Sequence, residues 1–473
     1  MTILESRALG AGIARLIAPL AVAAAMMFAT TAHAGIDGVT VASGNTVNLT
    51  ASEGYISIAD GGSVYSWGYS AAGSAMQLPG PTLIATAGET ITVTLTNSLP
   101  AAAGNVSIVF PGQTVSASGG EDGELTREAP TGGTVTYTVT LGGPGTYQYH
   151  SGTQPDLQVE MGLYGAIVVR PSAASTTCNY SIIPAGGKAY DHADACYDRE
   201  YLFLLSEIDI DIHQAAEQQV SGPGPIILPA GAYHSEYWMI NGRAGPDTMA
   251  AAGDVLLPSQ PYNILPRMHP GERLLLRLVG AGREMHPFHT HGNHVRVLAR
   301  DGGLLVSETD PAKLAGPLLF TIPSVPGGTV DAIFEWTGRD LGWDMYGTTD
   351  VTPHTCDAAG TDAEGYYTVG VSKDPSDPAF AANYGEYCAD HDKPIPVTLP
   401  SLSSLAFGGF YSGSPYLGAL GSLPPGEGGL NPDAGFTYMW HSHNERELVN
   451  NDVFPGGMMT MLIIEAPATA IND

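Results

Sequence analysis

Five histidines fall in two short segments, His286-Pro287-Phe288-His289-Thr290-His291 and His441-Ser442-His443. On an extended strand, residues i and i+2 project from one face, so each His-x-His pair aims two imidazoles at a common point. Two such pairs on neighbouring strands supply four nitrogen donors, a set suited to copper or zinc. Ser442, between the second pair, faces the opposite way. A further histidine, His150, sits in Tyr147-Gln148-Tyr149-His150-Ser151-Gly152, a segment that matches Tyr438-Met439-Trp440-His441-Ser442-His443. A single histidine is usually a satisfied structural residue, but six in motifs at matching places are hard to explain as packing. His150, His286, His289, His291, His441 and His443 are therefore the candidate metal set. His192, His213, His234, His269, His294, His354 and His391 read as structural. Glu445, Glu447 and Asp452 would complete a zinc or manganese shell, a reading that ranks behind solvated loop carboxylates.

Strands must carry these motifs, and the sequence supplies them. Thr90-Ile91-Thr92-Val93-Thr94-Leu95 and Thr134-Val135-Thr136-Tyr137-Thr138-Val139 alternate polar with apolar, as half-buried strands do. His213 to Gln218 is the one short helical candidate. An internal repeat organises the rest. Gly88-Glu89-Thr90-Ile91 matches Gly271-Glu272-Arg273-Leu274, Val109-Phe110-Pro111-Gly112 matches His289-Thr290-His291-Gly292, and Gly165 to Pro171 matches Met459 to Pro467. The expected architecture is all-β, two tandem sandwiches at about 35–172 and 200–467, joined by a connector at 173–199. An irregular Gly, Pro, Ser and Asp-rich insertion, about 345–435, separates the histidine motifs of the second half. Loops of this length usually serve a function, such as covering a site or an oligomer surface. The four cysteines pair most simply as Cys178 with Cys196 and Cys356 with Cys388, one bridge in the connector and one in the insertion.

The first residues read as an export signal. Arg7 and Arg15 precede an apolar run from Leu16 to Phe28 and then Ala32-His33-Ala34, which places the mature start near Gly35. A run of about 13 residues at 1.5 Å each falls short of a bilayer core of roughly 30 Å. The expectation is an exported, periplasmic or extracellular protein with no membrane span, a setting in which disulfides form. Sixty glycines and 35 prolines against only 14% charged residues suit a turn-rich β protein. The formal charge of −29 excludes nucleic acid and anionic membrane as partners.

The motif His286-Pro287-Phe288-His289-Thr290-His291-Gly292, with His441-Ser442-His443 and Gly457-Met458, resembles the carboxy-terminal copper motifs of the multicopper oxidases. The similarity extends to Trp238-Met239-Ile240-Asn241-Gly242-Arg243, Gly80-Pro81-Thr82 and Gly145 to Ser151, and covers the chain apart from the leader, connector and insertion. It implies cupredoxin-like Greek-key sandwiches and, from the two-domain small laccases and copper nitrite reductases, a homotrimer with metal sites between subunits. It also marks what is missing. The family's blue-copper cysteine falls at Ser442 and one blue-copper histidine at Glu447, leaving His286 and Met458 of that centre. Two cluster histidines fall at Val109 and Pro111, and a third at Gly152. Five of the family's eight cluster histidines remain: His150, His289, His291, His441 and His443. These suffice for one copper ion, at the limit two, with zinc or manganese as secondary assignments. The expected function is that of a secreted, multicopper-oxidase-like copper-binding protein with a reduced histidine cluster, which stores copper or retains a residual copper oxidoreductase activity. The alternative is a non-catalytic cupredoxin-fold binding or structural module. No catalytic residue is assigned.

Overall fold

The computed structural model describes residues 36–172, 177–339, 341–346, 353–394, 413–414, 435–467 and 469–471. The export signal expected at 1–34 and much of the insertion lie outside these residues.

The first half forms two facing sheets. Strands β1 (Thr46–Ser57), β2 (Ser63–Ala71), β4 (Thr90–Asn97), β5 (Thr114–Gly119) and β6 (Thr134–Thr140) make one, in the order β2-β1-β4-β6-β5. Strands β3 (Leu83–Thr86), β7 (Gly145–His150) and β8 (Tyr164–Arg170) make the other with the short strand Val39–Thr40. In β4 the apolar residues Ile91, Val93 and Leu95 are fully buried between partly exposed threonines, the period-two pattern of a sheet with one wet face. Val135, Tyr137 and Val139 of β6 do the same beside them.

The second half repeats the plan with larger sheets. One sheet runs β10 (Tyr237–Ile240), β9 (Arg199–Ile208), β11 (Arg273–Gly280), β15 (Thr329–Glu335) and β13 (Val295–Arg300). The facing sheet contains β17 (Met459–Ile464), β16 (Phe436–Ser442), β12 (His286–Thr290) and β14 (Thr321–Ser324). Phe203, Phe288, Phe334 and Trp440 meet between these sheets with ring centroids 5.1–6.0 Å apart.

Each half ends in an equivalent antiparallel pair. His150, the last residue of β7, stands opposite Tyr164, the first of β8, and His441 stands opposite Met459, the first of β17. A mixed apolar layer joins the two sandwiches: Ile56, Leu78, Tyr164 and Ala166 from the first pack with Leu202, Leu204, Met239 and Val279 from the second. The helix expected at His213–Gln218 spans Ile210–Gln219 (α1), started earlier by the Asp209 carboxylate, which accepts from the amides of Asp211 and Ile212. Both expected disulfides, Cys178 to Cys196 and Cys356 to Cys388, are formed.

Candidate metal centre

His289 in β12 stands directly opposite His441 in β16, and each strand runs on to a second histidine two residues later. The His443 amide donates to the Pro287 carbonyl (2.8 Å), holding the two strand ends together. With period two, the odd-numbered side chains leave the core while Phe288, Thr290, Trp440 and Ser442 point into it. His289, His291, His441 and His443 therefore gather on one face. His289 lies with its ring centroid 4.9 Å from that of His291, 5.6 Å from His441 and 4.6 Å from His443; His291 and His441 are 5.2 Å apart, and His441 and His443 5.6 Å. His289 and His441 are buried, His291 is half-buried and His443 is exposed, so the face opens to solvent on one side.

Hydrogen bonds fix which nitrogens face inward. His441 Nδ1 contacts the Ser442 carbonyl (2.6 Å), which can only accept, so Nδ1 carries the proton and the Nε2 lone pair points at His291 Nε2, 3.1 Å away. His289 Nδ1 bonds the Thr321 hydroxyl (2.7 Å), while its buried Nε2 has no hydrogen-bond partner among the described residues. Burial, reinforced by the neighbouring rings, pushes the His289 imidazole down to about 3, and burial likewise lowers His441. Both rings are neutral donors at ordinary pH. Two neutral imidazoles, one with a buried, unpaired Nε2, beside the rings of His291 and His443 fit copper, which takes nitrogen ligands readily.

His150 keeps the local geometry of His441 without its companions. Its Nδ1 donates to the Ser151 carbonyl (2.9 Å), the counterpart of the His441 bond. Val109 exchanges backbone hydrogen bonds with His150 (2.9 and 3.2 Å), in the place His289 takes opposite His441. The valine thus stands where the second half has an imidazole. Among the described residues no hydrogen bond or ring contact joins His150 to the quartet.

His286 is not brought into the cluster, contrary to its place in the candidate metal set. It is fully buried, with Nδ1 on Glu447 (2.9 Å) and Nε2 on Glu207 (2.9 Å), so both nitrogens are taken. Burial opposes its charge, but the two carboxylates outweigh that and push the imidazole up to about 9. Glu447, read as a solvated loop carboxylate, is buried, whereas Glu445 and Asp452 are exposed. Ser442 is buried, and its hydroxyl accepts from the Asn444 amide (3.2 Å). Where the resemblance expects a blue-copper centre, a hydroxyl, an imidazolium and a carboxylate stand beside buried Met458. Glu207 is the partner the sequence hid, since it lies 79 residues before His286 with no motif around it.

Paired cupredoxin-like sandwiches with an imidazole cluster at a strand end define the class. A multicopper oxidase family model matches residues 62–174. Among curated proteins, Laccase-24 of Oryza sativa subsp. japonica is 26% identical over 263 residues, covering 54% of this chain and 38% of the laccase. Laccase-17 of Arabidopsis thaliana is 26% identical over 267 residues, covering 54% and 40%. The chain thus spans well under half the length of either laccase. Solved structures include a blue copper oxidase from Nitrosomonas europaea (TM-score 0.48, 16% identity, 88% of this chain and 85% of that one). A copper nitrite reductase from the same organism has a TM-score of 0.42 and 21% identity, covering 63% and 85%. The similarities are to multicopper oxidases, and copper is the cofactor that such a likeness implies. Among the described residues no helix is long and apolar enough to cross a membrane.

Proposed function

We propose that this is an exported copper-binding protein whose ion is held by His289, His291, His441 and His443. The observation that carries the reading is the convergence of two His-x-His pairs around an unpaired, buried His289 Nε2. Its domains are taken at 35–172 and 200–467 with the connector at 173–199. Copper bound there would supply one-electron redox chemistry or simply be stored. The chain's own residues orient the donors: Thr321 and the Ser442 carbonyl hold the Nδ1 atoms of His289 and His441 and leave their Nε2 atoms for the ion. With Ser442, His286 and Glu447 bonded as they are, no thiolate is present to accept electrons from a reductant. The reading is therefore a reduced site that stores copper or sustains a residual oxidoreductase reaction, rather than a full oxidase. In a homotrimer, half-buried His150 of one subunit could add to the quartet of the next.

Copper-loaded wild-type chain should contain about one ion per chain, give an electron paramagnetic resonance spectrum of nitrogen ligation, and lack the intense visible band of a copper–thiolate bond. Replacing His441 and His443 together with alanine should remove that ion, while His234→Ala, at an exposed position, should not. Equal loss from both changes, or no copper in the wild type, overturns the assignment. The second outcome would leave a non-catalytic sandwich acting as a binding or structural module. Zinc or manganese in the quartet at the expense of copper would redirect the cofactor.

A further inference from the structure

His354 and His391, read from the sequence as structural, come together in the insertion with Asp344 and Glu386. We propose that these four residues form a second metal site, for a divalent transition ion and by its donor set zinc, which holds the insertion against the second sandwich. One donor atom from each residue lies within 4.8 Å of all the others. The individual separations say more. Asp344 Oδ2 is 3.6 Å from His354 Nε2 and 3.5 Å from His391 Nδ1, and Glu386 Oε2 is 3.7 Å from His354 Nε2. These are too long for hydrogen bonds. They are close to the edge, about 3.4 Å, of a tetrahedron whose centre lies about 2.1 Å from each donor, the bond length of zinc to nitrogen or carboxylate oxygen. The fourth contact, Glu386 Oε1 to His391 Nδ1, is shorter at 2.8 Å.

Charge and burial agree. The side chains of Asp344, His354 and Glu386 are 4%, 1% and 3% exposed. Two carboxylates so placed repel each other, and among the described residues no lysine or arginine forms an ion pair with either. A dication would neutralise both. The remaining lone pairs are already held, as in a ligand with supported geometry: Asp344 accepts from the amides of Tyr346 and Asp392 (2.9 Å each), and Glu386 accepts from Asn383 Nδ2 (2.6 Å). Two nitrogens and two oxygens, with no thiolate, suit zinc better than calcium or magnesium, which take oxygen almost exclusively. Cys356 lies two residues after His354, and Cys388 lies between Glu386 and His391. The disulfide and the ion would thus clamp the same two segments to Asp344, whose neighbours Trp343, Met345 and Tyr346 are packed in the second core.

The site is independent of the imidazole quartet, and the test separates them. The full exported chain carrying His289→Ala, His291→Ala, His441→Ala and His443→Ala is stripped with a chelator and reloaded with zinc chloride. It should retain one tightly held zinc per chain, with an X-ray absorption shell of two imidazoles and two oxygens at about 2.0–2.1 Å. Adding His354→Gln and Glu386→Gln to that chain should remove the ion and the rise in melting temperature that zinc produces. The absorption measurement needs no destabilising change in the insertion, so it decides the matter even if the glutamine variant fails to fold. A quartet variant that holds no zinc, or holds it among oxygens alone, overturns the proposal, as does zinc content unchanged by the glutamine substitutions.

Discussion

Replacing His286 with glutamine should destabilise the protein by about 3–5 kcal/mol at pH 6, and by much less at pH 10. The position is a buried ion triad. His286 is fully buried, and its nitrogens meet Glu447 and Glu207, whose side chains are 2% and 0% exposed. Both carboxylates have further donors: Glu207 accepts from the Glu284 amide (3.0 Å) and Glu447 from Asn444 Nδ2 (2.8 Å). Removing the imidazolium leaves two negative groups with dipoles but no counter-charge, which is the expensive way to break a buried pair. The pH dependence separates charge from packing. Because the folded imidazole is raised from 6.5 to about 9, its contribution is fully present below pH 6.5 and is lost as pH rises through 9. At 1.36 kcal/mol per pH unit this is roughly 3 kcal/mol. Urea midpoints of wild type and variant in chelating buffer should therefore converge between pH 6.5 and 10. A gap that stays constant across that range would mean that His286 acts through shape alone, and the triad argument would fail.

The same residue shows how far the sequence could be read. The quartet was legible because strand period two acts over three residues and needs no knowledge of the fold: His289-x-His291 and His441-x-His443 must each share a face wherever their strands lie. The repeat was legible for a related reason, since β7 with β8 and β16 with β17 keep one register, and Val109 opposite His150 follows from it. His286 has sequence neighbours that form a metal motif, whereas its hydrogen-bond partners arrive from β9 and from the turn after β16. Local pattern cannot report a carboxylate delivered from a facing sheet. Asp344, His354, Glu386 and His391 were invisible for a third reason. They sit in irregular chain, where no period relates sequence spacing to direction, and the contacts that bring 354 near 391, the Cys356–Cys388 bridge and the Asn383 bond to the Thr355 carbonyl (2.9 Å), join segments far apart in sequence. The charged seam between the sandwiches has no local signature either, because Arg, Glu and Asp taken singly are mostly surface residues.

That seam carries the other large expected effect. Arg277 of β11 is completely buried, with Nε on Glu200 (2.9 Å) and Nη1 on the Thr146 hydroxyl (3.1 Å), and with Asp331 3.6 Å away. Asp331 accepts in turn from the Thr146 hydroxyl (2.6 Å) and from Tyr190, and Glu200 also pairs with Arg170. Thr146 belongs to β7 of the first sandwich, whereas Glu200, Arg277 and Asp331 belong to the second. Arg277→Met, similar in reach but uncharged, should cost about 3–5 kcal/mol, since it leaves Asp331 without a counter-charge in the seam and Glu200 with Arg170 alone. Arg277→Lys should be intermediate, because one ammonium cannot reproduce the planar fork that reaches several acceptors. Burial tends to raise the Glu200 carboxyl, but Arg277 and Arg170 outweigh it and hold the group below the usual range. Its contribution is therefore present above pH 4.5 and lost as pH falls through the lower folded value. The difference between wild type and Arg277→Met in urea should shrink in acid, where the Glu200 carboxylate, no longer held by Arg277, protonates more readily in the variant. A difference that does not depend on pH would assign the loss to packing. Because β7 ends at His150, the seam also anchors the strand that carries the one first-sandwich histidine of the candidate metal set. Loosening it should disturb any copper site that His150 completes between subunits, while leaving the quartet, built at the ends of β12 and β16, able to bind.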